Sequence, residues 1–64
     1  MTENMKIWLR ALYLSEACDH MYMSKHEHIC ALGSPDGEAA AIHEMSAEEH
    51  REFAVILKSM AANI

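Results

Sequence analysis

Apolar residues in the first third of the chain recur at every third or fourth position, as they do on one side of a helix. The stripe begins near the N-terminus and is widened by Trp8, Leu12 and Tyr22. Its members are Ile7, Ala11, Leu14, Cys18 and Met21. Because this spacing matches the 3.6-residue period of an α-helix, it predicts an amphipathic helix over about residues 3–24.

The stretch that follows this helix allows two interpretations. Ser24 precedes Glu27 by three residues, which is the spacing of a capping box at a helix start. Either the first helix continues to Leu32 and ends at Gly33, or the chain breaks at Ser24 and a new helix begins there.

The strongest turn signal is the segment 33–37, Gly-Ser-Pro-Asp-Gly. Proline presets the backbone of a turn and glycine suits its end, so the chain is expected to reverse here. Its flanks could be helices joined by a loop, or a short β-hairpin around 28–43 that pairs residues 28–32 with 39–43. Ile29 and Ile42 would suit a sheet, whereas the alanine run 39–41 is poor strand material.

A second helix is predicted over residues 47–62. Ser46 and Glu49 have the spacing of a capping box, and Glu48 and Glu49 would interact favourably with the helix dipole in the first turn. Asn63 would end the helix. The apolar seam of this helix comprises His50, Phe53, Leu57, Met60 and Ile64.

The pattern therefore predicts a mainly α fold, with two amphipathic helices in a single small domain spanning residues 1–64. A chain this short buries little surface, and one partner helix cannot cover the apolar circumference of the first helix. We expect an oligomeric helical assembly, because a chain this short usually needs disulfides, a metal or a partner subunit to be stable. The expected interface comprises Ile7, Trp8, Ala11, Leu14, Phe53, Leu57 and Met60.

The net charge of the chain disfavours two classes of binding partner. Five basic residues stand against ten acidic ones, which gives a formal net charge of −5. An acidic chain begins with repulsion from phosphate, so nucleic acid and anionic membrane surfaces are disfavoured. The longest apolar run, residues 53–57, is far below the roughly 20 residues that span a bilayer. With Glu3 where a signal peptide would be basic, we expect a cytoplasmic protein with reduced Cys18 and Cys30.

Five histidines are the feature most open to a chemical interpretation. His26 and Cys30 lie four residues apart, and His43 and His50 lie across the turn, where they could complete a tetrahedral zinc site. Structural zinc sites usually show two close ligand pairs, and only one is present here. We therefore expect no metal or other cofactor, and keep a zinc-stabilised module as an alternative.

The sequence contains no convincing catalytic arrangement. Cys18, Asp19 and His20 supply the atoms of a nucleophile and its base, but adjacent helix positions point about 100° apart. Cys18 is better explained as a small apolar residue of the stripe. We expect a protein that is not an enzyme.

Taken whole, the chain resembles the short early proteins of lambdoid bacteriophages that are encoded in the cluster between the exonuclease and excisionase genes. The resemblance covers the overall length and the stretches MKIWLRALYLSEACDHMYM and KHEHICALGSPDGEAA. It implies a small protein, made in the cytoplasm of an infected bacterium, that modulates the choice between lysogeny and lytic growth. It implies action by binding other proteins and assigns no functional residues.

The leading functional hypothesis is a non-enzymatic helical protein that acts through protein–protein contact, with an unidentified host or phage protein as partner. The alternative is a small DNA-associated transcriptional regulator. Its recognition helix would be the predicted helix 47–62, which presents Glu48, Glu49 and Glu52 where contacts to bases and phosphates would fall. A salt series of DNA binding would discriminate the two hypotheses.

Overall fold

The computed structural model describes all 64 residues as two helices that pack side by side and run in opposite directions. Helix α1 spans Glu3–Leu32 and helix α2 spans Gly37–Ala62. The hairpin measures 51 × 13 × 11 Å, so it is about four times as long as it is wide. The mainly α prediction is confirmed. The β-hairpin around 28–43 is wrong, because residues 28–32 and 39–43 lie within the two helices.

Helix α1 begins at a side-chain cap and passes through Ser24 without a break. The Thr2 hydroxyl accepts a hydrogen bond from the Met5 N–H at 3.1 Å, which satisfies one of the free donors of the first turn. Of the two interpretations of residues 24–33, the continuous helix is confirmed. The Gly33 N–H donates to the Ile29 carbonyl at 3.1 Å, and the regular helix ends there.

Pro35 and Asp36 separate the two helices and start the second one. Proline has no N–H to donate and disfavours helical backbone at the residue before it, so α1 cannot continue through this point. The Asp36 carboxylate accepts from the Glu38 N–H at 3.1 Å and caps α2. The predicted turn at 33–37 is confirmed, with Gly37 already the first residue of α2.

The predicted start of the second helix, at residue 47 with Ser46 as its cap, is wrong. Helix α2 begins ten residues earlier, at Gly37, and residues 43–49 lie in its uninterrupted middle. Alanine has the highest helix propensity, so the run 39–41 extends the helix once Asp36 has capped it. Ser46 is a half-buried residue of a continuous helix and has no capping role.

The contact between the helices is built on alanine. Every buried residue of the chain is an alanine: Ala17, Ala31, Ala47, Ala54 and Ala61. The three in α2 are seven residues apart, and the two in α1 are fourteen apart with Ser24 midway. A seven-residue repeat is the signature of two helices packed along a coiled-coil seam. We call the line formed by these five alanines and Ser24 the alanine seam.

Two hydrogen bonds fix the register of the hairpin. The Ser24 hydroxyl donates to the Ala47 carbonyl at 2.7 Å, and the Arg10 guanidinium donates to the Ile64 carbonyl at 3.0 Å. Because the helices are antiparallel, this register places Ala17 level with Ala54. It also places the start of α1 beside the end of α2, at the end of the hairpin away from the turn.

The large apolar residues lie outside the seam, contrary to the predicted packing. In the α1 stripe Ile7 and Leu14 are 57% and 47% exposed, and in the α2 seam Phe53 is 56% exposed. Small side chains let two helix backbones approach closely, which leaves no room for larger ones between them. From the predicted α2 seam, only three members are half-buried against α1: His50, Leu57 and Ile64.

Candidate functional site

Polar side chains alternate with alanine along the contact between the helices. They come from positions three residues after or four residues before a buried alanine, where side chains flank the alanine seam. These positions hold His20 and Glu27 in α1, and His43 and His50 in α2, all half-buried. The sequence pattern thus places imidazoles and a carboxylate where a coiled coil usually has leucine.

His20 and His50 meet across the two helices. Their Nδ1 atoms lie 2.9 Å apart, so one ring donates a hydrogen bond and the other accepts it. This arrangement requires at least one neutral imidazole. The His20 ring also stacks on Phe53, with ring centroids 5.2 Å apart and planes inclined by 17°. The three rings form one cluster near the middle of the hairpin.

Two histidine–carboxylate pairs lie between this cluster and the turn. The His43 Nδ1 atom lies 2.5 Å from a Glu27 carboxylate oxygen, and the His28 Nδ1 atom lies 2.6 Å from a Glu44 oxygen. The hydrogen bond with His43 holds the pKa of Glu27 below its ordinary value of about 4.5, against a smaller opposing effect of desolvation. Each pair joins α1 to α2, so the chemistry available here is pairing between helices.

The four candidate zinc ligands do not converge on one point. His26 and Cys30 are neighbours on α1, with Nε2 and Sγ 3.8 Å apart. His43 is paired with Glu27, and His50 is paired with His20 on another level of the hairpin. No group of three or more histidine, cysteine or carboxylate residues is arranged to hold a metal ion.

The residues predicted as an interface are mostly on the surface. Trp8 is 77% exposed, and Ile7, Leu14 and Phe53 are each about half exposed. Ala11 is exposed, Met60 is 41% exposed, and Leu57 alone is half-buried between the helices. These side chains are therefore available to a partner, with Leu57 serving the hairpin itself.

The exposed apolar surface is larger than the sequence pattern indicated. Sixteen large hydrophobic residues are exposed, among them Met5, Leu12, Ile42 and Ile56. Near the N-terminus an open groove is lined only by apolar side chains: Met1, Met5, Trp8, Leu9 and Leu12. The signal that would have identified this surface is the seven-residue repeat of alanine, since it shows which side of each helix is already occupied.

A polar groove runs along the other side of the hairpin. It is lined by Met21, Ser24, Lys25, His28, Glu44, Ala47, Glu48 and Arg51. Arg51 and Glu48 form an ion pair within it, one helical turn apart. The two broad faces of the hairpin therefore differ in character, one carrying paired charges and the other mainly apolar side chains.

Neither helix has both the length and the apolar character that a membrane crossing requires. No protein-family model, curated protein sequence or solved structure matches this chain.

Proposed function

We propose that this chain is a non-enzymatic helical protein that self-associates and acts through contact with other proteins. One observation carries the proposal: the hairpin buries five alanines and no large side chain, while sixteen large hydrophobic residues are exposed. A soluble monomer rarely exposes apolar surface on this scale, and large patches of this kind commonly mark protein interfaces.

The total surface supports the same conclusion. The hairpin exposes 4807 Å² for a mass of 7.2 kDa. A compact monomer of that mass is expected to expose roughly 4,100 Å², so the excess is about 700 Å². A standard protein–protein interface buries about 800 Å² on each partner. One docked partner would therefore bring the chain to the exposure of an ordinary folded protein.

The side chains that could act in catalysis or metal binding instead form contacts that hold the hairpin together. His20 pairs with His50, and His43 pairs with Glu27, in each case across the two helices. Such pairs are explained by packing and hydrogen bonding at the contact. This supports a structural role for the histidines and a function that resides on the outer surface.

The charge balance favours protein as the partner. Ten acidic side chains against five basic ones give the hairpin a net charge of −5, which opposes contact with a phosphate backbone. By resemblance to the early proteins of lambdoid phages, we propose that the partner belongs to the host or phage machinery that governs lytic and lysogenic development, in the bacterial cytoplasm.

A pull-down with a matched pair of variants tests this function. The immobilised full chain is exposed to lysate of phage-infected bacteria, beside Trp8→Glu and Ser15→Glu. Both positions are exposed on α1 and seven residues apart, so the two variants add one charge on the same side of the helix. We expect a protein that is retained by the wild type and by Ser15→Glu, and released by Trp8→Glu.

The genetic readout is the frequency of lysogeny when each variant is expressed during infection. We expect the wild type and Ser15→Glu to shift this frequency and Trp8→Glu to leave it unchanged. Retention of no protein, together with an unchanged frequency for all three chains, would overturn the proposal.

A further inference from the structure

The hairpin carries an apolar face that runs from the end away from the turn to the middle of the hairpin. It is formed by Met5, Leu9, Leu12, Phe53, Ile56 and Met60, which we call the open-end face. Five of the six are exposed and Leu9 is half-buried. We infer that this face is the site where a second copy of the same chain docks.

Helix geometry places the six residues on one side of the hairpin. Positions separated by three, four or seven residues share a side of a helix. Leu9 is four residues after Met5 and three before Leu12, and these three line the same apolar groove. In α2, Ile56 is three residues after Phe53 and four before Met60. The two sets therefore form two parallel rows.

The register places the two rows one after the other along the hairpin. With Ser24 level with Ala47, Leu12 is level with Ser59, so the rows meet at Leu12 and Met60. Arg10 is hydrogen-bonded to Ile64, so the first turns of α1 lie beside the last turns of α2. The His20 ring stacks on Phe53 and shows that Phe53 flanks the contact between the helices. The polar groove, with His28 and Arg51, occupies the other flank. Ile56 lies at the outer edge of the open-end face, where it also lines a groove with Val55 and three charged residues of α2, Glu48, Arg51 and Glu52.

Surface area argues for an occupant the size of a second hairpin. The excess exposure of about 700 Å² over a compact monomer is close to the 800 Å² or so that each partner buries in a standard dimer. A short peptide or a small ligand would leave most of this surface uncovered.

Self-complementarity argues that the occupant is a second copy. In a two-fold contact the same patch faces itself, so an uncharged apolar patch meets an uncharged apolar patch without any buried charge. All six members are uncharged, and the nearest carboxylates lie at the edges of the face, with Glu52 beside Ile56 in a groove of α2 and Glu16 one turn after Leu12. Contact restricted to the open-end face leaves these carboxylates at the rim, in water.

A pair of isoleucine substitutions gives a sharp test. Ile56 lies in the open-end face and Ile42 lies near the turn, two heptads away on the same side of α2. The two side chains are similarly exposed, at 54% and 61%. Ile56→Glu and Ile42→Glu therefore have the same chemistry and comparable effects on the isolated hairpin, and differ in their position relative to the open-end face.

Sedimentation equilibrium of the full chain is the measurement. We expect the wild type and Ile42→Glu to sediment at twice the chain mass of 7.2 kDa. We expect Ile56→Glu to dissociate at least about a hundredfold more readily, because a two-fold interface contains the substitution twice and a buried unpaired charge is costly. A monomeric wild type, or equal dissociation of the two variants, would overturn the inference.

Trp8 provides a second readout that is independent of mass. It is the one tryptophan of the chain, is 77% exposed in the hairpin, and lines the same groove as Met5 and Leu12. Its emission should shift to shorter wavelength as the wild-type concentration rises, and should stay at the solvent-exposed wavelength in Ile56→Glu. Circular dichroism is the control: Ile56→Glu should remain helical, so that the difference in emission reports the loss of docking and not unfolding.

This inference rests on the proposed function, since it names the partner of the same exposed surface, but the two can fail separately. If the wild type is monomeric but still captures a different protein through Trp8, the self-docking inference is overturned and the proposed action on other proteins stands. If the wild type is a dimer that dissociates in Ile56→Glu, the self-docking inference is supported. If that dimer captures no other protein and has no effect on lysogeny, the proposed action on other proteins is overturned.

Discussion

The Ser24 hydroxyl donates a hydrogen bond to the Ala47 carbonyl on the other helix, at 2.7 Å. A serine side chain reaches only one carbon beyond the backbone, so this bond is possible only where two helices approach closely. Ser24 stands seven residues from both Ala17 and Ala31, in the same line of the alanine seam. The bond therefore reports both the close spacing and the register of the hairpin.

Substitutions at Ser24 should separate the hydrogen bond from the spacing. Ser24→Ala keeps a small side chain and should lower the free energy of unfolding by about 0.5–1.5 kcal/mol, the net contribution of one hydrogen bond. Ser24→Leu should cost more, because it forces a large side chain between closely packed backbones. Urea unfolding followed by circular dichroism measures both. An unfolding free energy for Ser24→Leu at or above that of Ser24→Ala would contradict the close spacing.

Alanine substitutions within α2 provide the complementary test. Ala54 is 1% exposed, and Ala41 is an exposed alanine of the same helix. Ala54→Leu should lower the free energy of unfolding by about 1–3 kcal/mol through overpacking. Ala41→Leu should change it by less than about 0.5 kcal/mol, as most surface substitutions do. Both values come from the same urea titration, and a stabilised Ala54→Leu would show that the helices separate freely.

The sequence pattern predicts the turn and the mainly α class correctly, but it predicts the wrong face of each helix at the contact between the helices. The Pro35–Asp36 pair carries its own stereochemistry, so the reversal could be predicted from local rules. Ser46 has equally good local capping chemistry, but Asp36 caps the helix ten residues earlier, so Ser46 lies in the interior of the helix. Local rules cannot show which of two adequate caps starts the helix, because this depends on how the residues between them pack.

The alanine seam was missed for a different physical reason. Large apolar side chains dominate the periodic pattern, so the pattern predicts Phe53 and Met60 at the contact that Ala54 and Ala61 make. Alanine has a high helix propensity and is common on all sides of helices, which hides its role in close packing. The His20–His50 pair was missed as well, because it depends on a register that only the assembled hairpin fixes.

Glu27 should make the stability of the hairpin depend on pH in the acid range. Its pKa is lowered by the hydrogen bond with His43, so its contribution is present above the ordinary value of about 4.5 and is lost as pH falls through the lower folded value. Glu27→Gln should therefore lower the melting temperature near pH 6, and the difference from wild type should close below pH 4.5. Glu49→Gln, an exposed control, should show no such convergence.

A thermal melting series in matched buffers from pH 3 to pH 7 measures this effect. A constant gap between Glu27→Gln and the wild type down to the lowest pH would show that the carboxylate does not gain from its contact with His43.

The His20–His50 pair should show a favourable coupling energy. The two Nδ1 atoms lie 2.9 Å apart, so one ring donates a hydrogen bond to the other across the two helices. A double-mutant cycle with His20→Gln and His50→Gln should give a coupling of about 0.5–1.5 kcal/mol, the net contribution of one hydrogen bond. A coupling of zero would contradict the shared hydrogen.

We propose that a hairpin held by alanines is completed by a second copy of itself, and the concentration dependence of thermal unfolding tests this pairing most directly. Association of folded chains stabilises them by mass action, so the melting temperature should rise steadily as the chain concentration increases a hundredfold. Ile56→Glu should melt at one low temperature throughout, and Ile42→Glu should follow the wild type. A wild-type melting temperature that is the same at every concentration would contradict the account.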